Sequence, residues 1–206
     1  MCNYLLKIEY NGKNFVGWQS QKNGKSIQDE IEKVLKKILK SKIKIVGAGR
    51  TDKGVHAFGQ YACFKYEKKI ENKERFLASI NFFLNKNLIS IINIKSKKKY
   101  FHARFNAKKR IYEYLIINRT SLLSIDKGKA WHVKKKININ LLRKGANILK
   151  GTHDFSSFRA SSCTAKSPIK KMESVIIRKS NEKIYIRFIS KSFLQNQVRS
   201  MVGCLK

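Results

Sequence analysis

Apolar and polar residues alternate from Tyr4 to Tyr10, the period-two pattern of a strand with one buried face. Asn11-Gly12 then supplies turn chemistry. Farther on the period changes. Ile27, Ile31, Val34, Leu35 and Ile38 fall on one face of a helix, with lysines on the other. Ser26 stands where an N-cap is needed, and Asp29 lies in the first turn, where a carboxylate favours the positive end of the helix dipole. A β-branched run follows at Ile43 to Val46, and a second strand pattern covers Phe58 to Tyr66. Helical spacing returns over Lys73 to Asn85 through Phe76, Leu77, Ile80, Phe83 and Leu84, and Leu88 to Ile94 reads as a strand. The order is βαββαβ, the ferredoxin-like or split βαβ arrangement.

Lys95 to Lys99 reads as a basic linker, which divides the chain into a module over 1–99 and another over 100–206. In the second module Arg110 to Asn118 is a strand, and Ala130 to Val133 suggests another. Asn138 caps a helix through Leu141, Leu142, Ala146, Ile148 and Leu149, stopped by Gly151. His153 to Arg159 is expected to be extended. Val175 to Lys179 and Ile184 to Ser190 pair as a hairpin across Asn181-Glu182, and Ser192 to Leu205 forms a last helix. Both halves therefore read as α+β modules with mainly antiparallel sheets. A strand after the last helix would complete the second βαββαβ, so that module is expected to be incomplete, a shortened form of a longer architecture.

Charge alters the picture most. Lys and Arg number 46 against 13 Asp and Glu, a formal net charge of +33. Self-repulsion on that scale calls for a polyanion. Nucleic acid is one candidate and an anionic membrane surface the other. Lys, Ile and Asn are abundant together, as codon drift in an AT-rich genome produces, so drift is an alternative source for part of the charge. Cys2, Cys63, Cys163 and Cys204 are scattered, with no Cys-x-x-Cys pair, and the four histidines lie apart from them. That spacing argues against a zinc site or a disulfide framework. With no signal segment and no apolar run of spanning length, a cytoplasmic protein is expected.

Candidate chemistry gathers in Gly47-Ala48-Gly49-Arg50-Thr51-Asp52-Lys53-Gly54-Val55-His56-Ala57. Glycines surround a single carboxylate, as they would where a ligand approaches backbone closely; a charged turn between strands would read the same way. Asp52 could serve as nucleophile or general base without a cofactor. Arg50 could pair with it or bind a phosphate. His56 suits a structural hydrogen bond better than catalysis. Tyr112 and Tyr114 share a strand face beside Arg110, either as a platform for a nucleobase or as core aromatics. Phe155 and Phe158 beside Arg159 leave the same choice open, and Arg199 on the last helix could be a solvated charge. Dinucleotide, P-loop and His-Glu-x-x-His motifs are absent.

Tyr10-Asn11-Gly12 with Gly17-Trp18-Gln19-Ser20-Gln21, Ser26-Ile27-Gln28, Ala48 to Ala57, Phe101 to Phe105 with Arg110 to Tyr114, and Gly151 to Arg159 form a collinear series. In these blocks the chain resembles the tRNA pseudouridine synthase A family. The resemblance implies two ferredoxin-like, RRM-like modules meeting at a basic cleft, and a homodimer holding tRNA. It implies conversion of uridine to pseudouridine in the anticodon stem-loop, at about positions 38 to 40, on a flipped base and with no cofactor or metal. Asp52 would be the catalytic carboxylate, attacking C1′ or removing a sugar proton. Arg50 would hold the loop and help displace the base, and Tyr112 would stack on it and could take part in the final proton transfer. Thr51, His56, Arg104, Arg110, Phe158, Arg159 and Arg199 fall on substrate-binding stretches. The chain departs from the family in carrying Gln197, where a methionine is usual, and in ending soon after the last helix. The shortening leaves one alternative, a catalytically impaired tRNA-binding module.

Overall fold

The computed structural model describes residues 1–206. By its internal contacts the chain forms two compact units, Met1–Ala107 and Lys108–Lys206.

In the first unit β1 (Cys2–Tyr10), α1 (Ile27–Leu39), β2 (Ile45–Gly47), β3 (Ala57–Tyr66), α2 (Lys73–Leu84) and β4 (Ile89–Lys97) follow in the expected order. The strands lie β2-β3-β1-β4, all neighbours antiparallel. Tyr4, Leu6, Ile8 and Tyr10 alternate onto the face shared with Ile27, Ile31 and Leu35 of α1 and Phe76, Ile80 and Leu84 of α2. Each fully buried aliphatic side chain there contributes roughly 1.5–3 kcal/mol relative to exposure. Ser26 caps α1 by accepting the Asp29 N–H at 3.1 Å. Asn72 caps α2 by accepting the Arg75 N–H at 2.8 Å.

Lys95–Lys97, expected in a linker, belong to β4 instead. Lys95 pairs with Leu5 and Lys97 with Asn3, so backbone pairing with β1 outweighs the local polarity. The expected division after Lys99 compares with an observed one after Ala107. Residues 98–106 are tied to the first sheet: the Asn3 amide donates to the Lys98 and Phe101 carbonyls at 3.1 and 2.8 Å. The Ala103 N–H donates to Cys63 Sγ at 3.3 Å.

The second unit comprises β5 (Arg110–Asn118), β6 (Trp131–Val133), α3 (Ile139–Ile148), β7 (Gly151–Asp154), β8 (Ile169–Ser180), β9 (Lys183–Ser190) and α4 (Gln197–Leu205). Its strand order is β6-β5-β9-β8-β7, with only the β5–β6 pair parallel. Counting in chain order without β6 and β7, first, third and second strand lie side by side, as in the first unit. Ile116, Ile184, Ile186, Phe188, Leu142, Met201 and Val202 form its core. Two expectations fail locally. His153–Arg159 is not one extended stretch: β7 ends at Asp154, and Ser156–Phe158 turns into a 3-10 helix. The last helix starts at Gln197, not Ser192, because Asn196 has φ 63°, a left-handed conformation that a helix cannot contain. No helix is long and apolar enough to cross a membrane.

Candidate active site

The loop from Ala48 to His56 joins β2 to β3 and carries Arg50, Thr51 and Asp52. At its start the Ala48 N–H donates to the Tyr61 carbonyl at 2.7 Å, and the Gln60 amide donates to the Gly49 carbonyl at 2.7 Å. Its remainder rests on residues 10–18. The Trp18 N–H donates to the Thr51 carbonyl at 3.1 Å, and the Gly54 N–H to the Phe15 carbonyl at 3.3 Å. The Tyr10 and Thr51 hydroxyls are hydrogen-bonded at 2.8 Å. The Gly12 N–H donates to His56 Nδ1 at 3.1 Å. Asp52 thus lies between fixed points on both sides, and its own carbonyl accepts the Val55 N–H at 3.2 Å to close the turn.

Glycine makes this approach possible. A Cβ on Gly17 (φ +121°) would lie 2.5 Å from the Thr51 carbonyl oxygen and 3.2 Å from the Asp52 carbonyl carbon. One on Gly12 would overlap the Val55 carbonyl. Below them Trp18 is buried, inclined to Tyr10 at 6.2 Å, and fills the space over Gly47. Asp52 is half-buried and Arg50 exposed. His56 Nδ1 accepts, so the neutral ring carries its proton on Nε2, which is buried without a partner. His56 therefore serves the loop as a hydrogen-bond acceptor. Arg104 is exposed on the 100–107 segment, near Phe105, whose ring stacks on His102 at 4.3 Å.

The remaining candidates belong to the second unit. Arg110 opens β5, and its guanidinium donates to the Lys191 carbonyl. Tyr112 faces Phe188 across the strand pair and meets Phe193 edge-on at 5.0 Å. Because Phe188 is core, Tyr112 lies at the margin of the core face, half-buried; Tyr114 on the same face packs against Trp131. Phe155 is wholly core, and Phe158 packs partly against it. Asp154 accepts the Ser156 N–H at 2.7 Å, and hydrogen bonds from the Ser156 side chain and backbone hold its carboxyl below the usual range. Arg159 and Arg199 are exposed.

Sequence reasoning isolated Asp52 but assigned no role to the residues that position it: Tyr10, Gly12, Phe15, Gly17, Trp18 and Gln60. The signal available was the pair of glycines interrupting an aromatic stretch. Glycine beside a bulky aromatic marks close backbone approach, though not to which partner.

A family model described as tRNA pseudouridine synthase matches residues 7–106 and 146–206. Three relatives are each called tRNA pseudouridine synthase A. The protein of Pelagibacter ubique is 55% identical over 206 residues, covering 100% of this chain and 84% of its own. That of Parvibaculum lavamentivorans is 41% identical, over 100% of this chain and 83% of its own. That of Ehrlichia canis is 44% identical over 203 residues, 98% of this chain and 82% of its own.

Proposed function

The chain belongs to the tRNA pseudouridine synthase family, and from that premise we propose that it isomerises uridine to pseudouridine in the anticodon stem-loop of tRNA, at about positions 38 to 40, on a base turned out of its stack. In this reaction the C1′–N1 bond breaks, the uracil turns, and C1′–C5 forms. C5 loses a proton and N1 gains one. Product and substrate have the same composition, so neither an oxidant nor a co-substrate enters the balance.

Asp52 is the catalytic carboxylate in this reading, acting on C1′ or on a sugar proton. The observation that carries it is the fixing of the loop on either side of Asp52, through Thr51 to Trp18 and Tyr10 and through His56 to Gly12. Precise placement of a reacting group is worth several orders of magnitude in rate. A turn that needed only to connect β2 to β3 would not require it. Arg50 steadies the loop and occupies the place the base leaves; Tyr112 stacks on the displaced base. Thr51, His56, Arg104, Arg110, Phe158, Arg159 and Arg199 line the path of the RNA or support those that do. A homodimer acting in the cytoplasm completes the reading, and the net charge of +33 suits a polyanionic substrate.

The test is Asp52→Ala, assayed with purified protein and unmodified tRNA transcript by mapping pseudouridines. The variant should bind tRNA and form no pseudouridine. Product formation at the wild-type rate would remove Asp52 from the mechanism. Binding without product by the wild-type chain would reduce it to an RNA-binding module.

A further inference from the structure

The second unit carries a basic recess lined by none of the residues given a role in the proposed reaction. It encloses about 330 Å³ and is lined by Asn118, Arg119, Thr120, Lys134, Lys136, Lys179, Asn181 and Glu182. Its frame is built from hydrogen bonds. The Asn118 amide donates to the Val133 and Lys135 carbonyls, each at 2.8 Å, and its oxygen accepts the Ile137 N–H at 3.0 Å. One side chain thereby straps the lysine-bearing turn 134–136 to the end of β5. On the other side the hairpin between β8 and β9 turns through Asn181, in the left-handed conformation at φ 51°. The Asn118 N–H donates to the Glu182 carbonyl at 2.8 Å, joining the two sides.

The charges divide into two groups. Arg119 is committed to the frame: it donates to the Ser121 and Leu122 carbonyls and to the Glu182 carboxylate at 3.0 Å. Glu182 is therefore already offset. Lys134, Lys136 and Lys179 are exposed and have no carboxylate partner. Three unneutralised ammonium groups around one polar hollow repel one another until an anion enters. The hollow offers Asn and Thr groups beside them, which suits an oxygen-rich anion rather than a carboxylic side chain reaching in singly.

We propose that this recess binds the phosphate backbone of RNA, as a second contact for the tRNA substrate proposed above. Tyr112 and Asn118 are six residues apart on β5, about 20 Å along an extended strand. A phosphate seated at the Asn118 end thus belongs to a different stretch of RNA from a base stacked at Tyr112. Its contribution is to affinity and orientation and carries no base sequence information.

The experiment compares two triple variants of equal charge. Lys134→Ala/Lys136→Ala/Lys179→Ala removes the recess cations. Lys33→Ala/Lys36→Ala/Lys42→Ala removes three exposed lysines of the first unit. Binding of unmodified tRNA transcript is followed across salt concentrations, with thermal melting to confirm folding. The recess triple should weaken binding about tenfold and flatten the salt dependence by about one to three phosphate contacts, and the other triple should change neither comparably. Arginine at the three recess positions should restore affinity. Equal effects of both alanine triples would assign the loss to bulk charge and overturn the proposal, as would unchanged binding by the recess triple. Binding is read without turnover, so failure of the pseudouridylation reading would show separately, as absence of product from the wild-type chain.

Discussion

Gly17→Ala perturbs the Asp52 loop without altering any group that could touch substrate. The new methyl would sit 2.5 Å from the Thr51 carbonyl oxygen, where ordinary contact begins near 3.4 Å. The Thr51 carbonyl must therefore retreat by close to 1 Å on the order of a misplacement that costs about a hundredfold in rate. It cannot do so freely, because it accepts the Trp18 N–H at 3.1 Å. The backbone adds its own cost: φ +121° is a region side-chain-bearing residues rarely occupy, a penalty of roughly 1–3 kcal/mol. Gly128→Ala provides the comparison. Gly128 also has positive φ (+81°), but a Cβ there meets nothing within 4 Å. Both variants should melt at lower temperature. Only Gly17→Ala should lose turnover, about a hundredfold in single-turnover release of tritium from C5-labelled uridine in tRNA, measured well below its melting point. If folded Gly17→Ala turns over within twofold of wild type, the contacts between residues 10–18 and the loop do not position Asp52 for reaction.

Two further outcomes follow from the second unit. Asp154 is held below the usual carboxylate range by hydrogen bonds from Ser156, so its stabilising effect is fully present above the unfolded carboxyl value of about 3.9 and fades as pH falls through the lower folded value. The difference in melting temperature between wild type and Asp154→Ala should hold steady from neutral pH to about pH 4 and narrow below it; a gap that widened with acid would reverse the assigned sign. Tyr112→Phe keeps the ring and its edge-on packing with Phe193 and removes only the hydroxyl. A fall in turnover of tenfold or more would assign the hydroxyl to proton transfer, and unchanged turnover would leave Tyr112 as a platform alone.

Both helices of the first unit and its four strands were legible because their information is local. Ile27, Ile31, Val34 and Leu35 repeat at helical spacing, and Tyr4 to Tyr10 alternate. Ser26 and Asn138 announced helix starts through short-range capping. The failures were decided elsewhere in the chain. Lys95 to Lys97 have linker composition but join β4 because β1 offers unpaired backbone there. Residues 100–107 lack any periodic signal, yet their carbonyl and amide groups find Asn3 and Cys63, 98 and 40 positions away in sequence. Asp52 could be isolated from its neighbours in sequence. Its support could not, since Thr51 is held by Tyr10 and Trp18, and nothing in a linear pattern pairs those positions. The alternation that put Tyr112 and Tyr114 on one face was correct; which face required the register with β9.

The joints between residues 10–18 and the Asp52 loop run largely through main-chain atoms, and that sets how the gene can drift. Codon drift toward A and T favours residues such as Lys, Ile and Asn, in which this chain is rich. Glycine codons begin with two G bases, so a single-base step from them toward A or T at either place gives a residue with a Cβ or, from GGA, a stop. At Gly12 that Cβ would overlap the Val55 carbonyl, and at Gly17 the Thr51 carbonyl. Lys13 and Asn14 between them are exposed. Drift toward A and T therefore meets resistance at two small residues remote in sequence from the carboxylate they help to place.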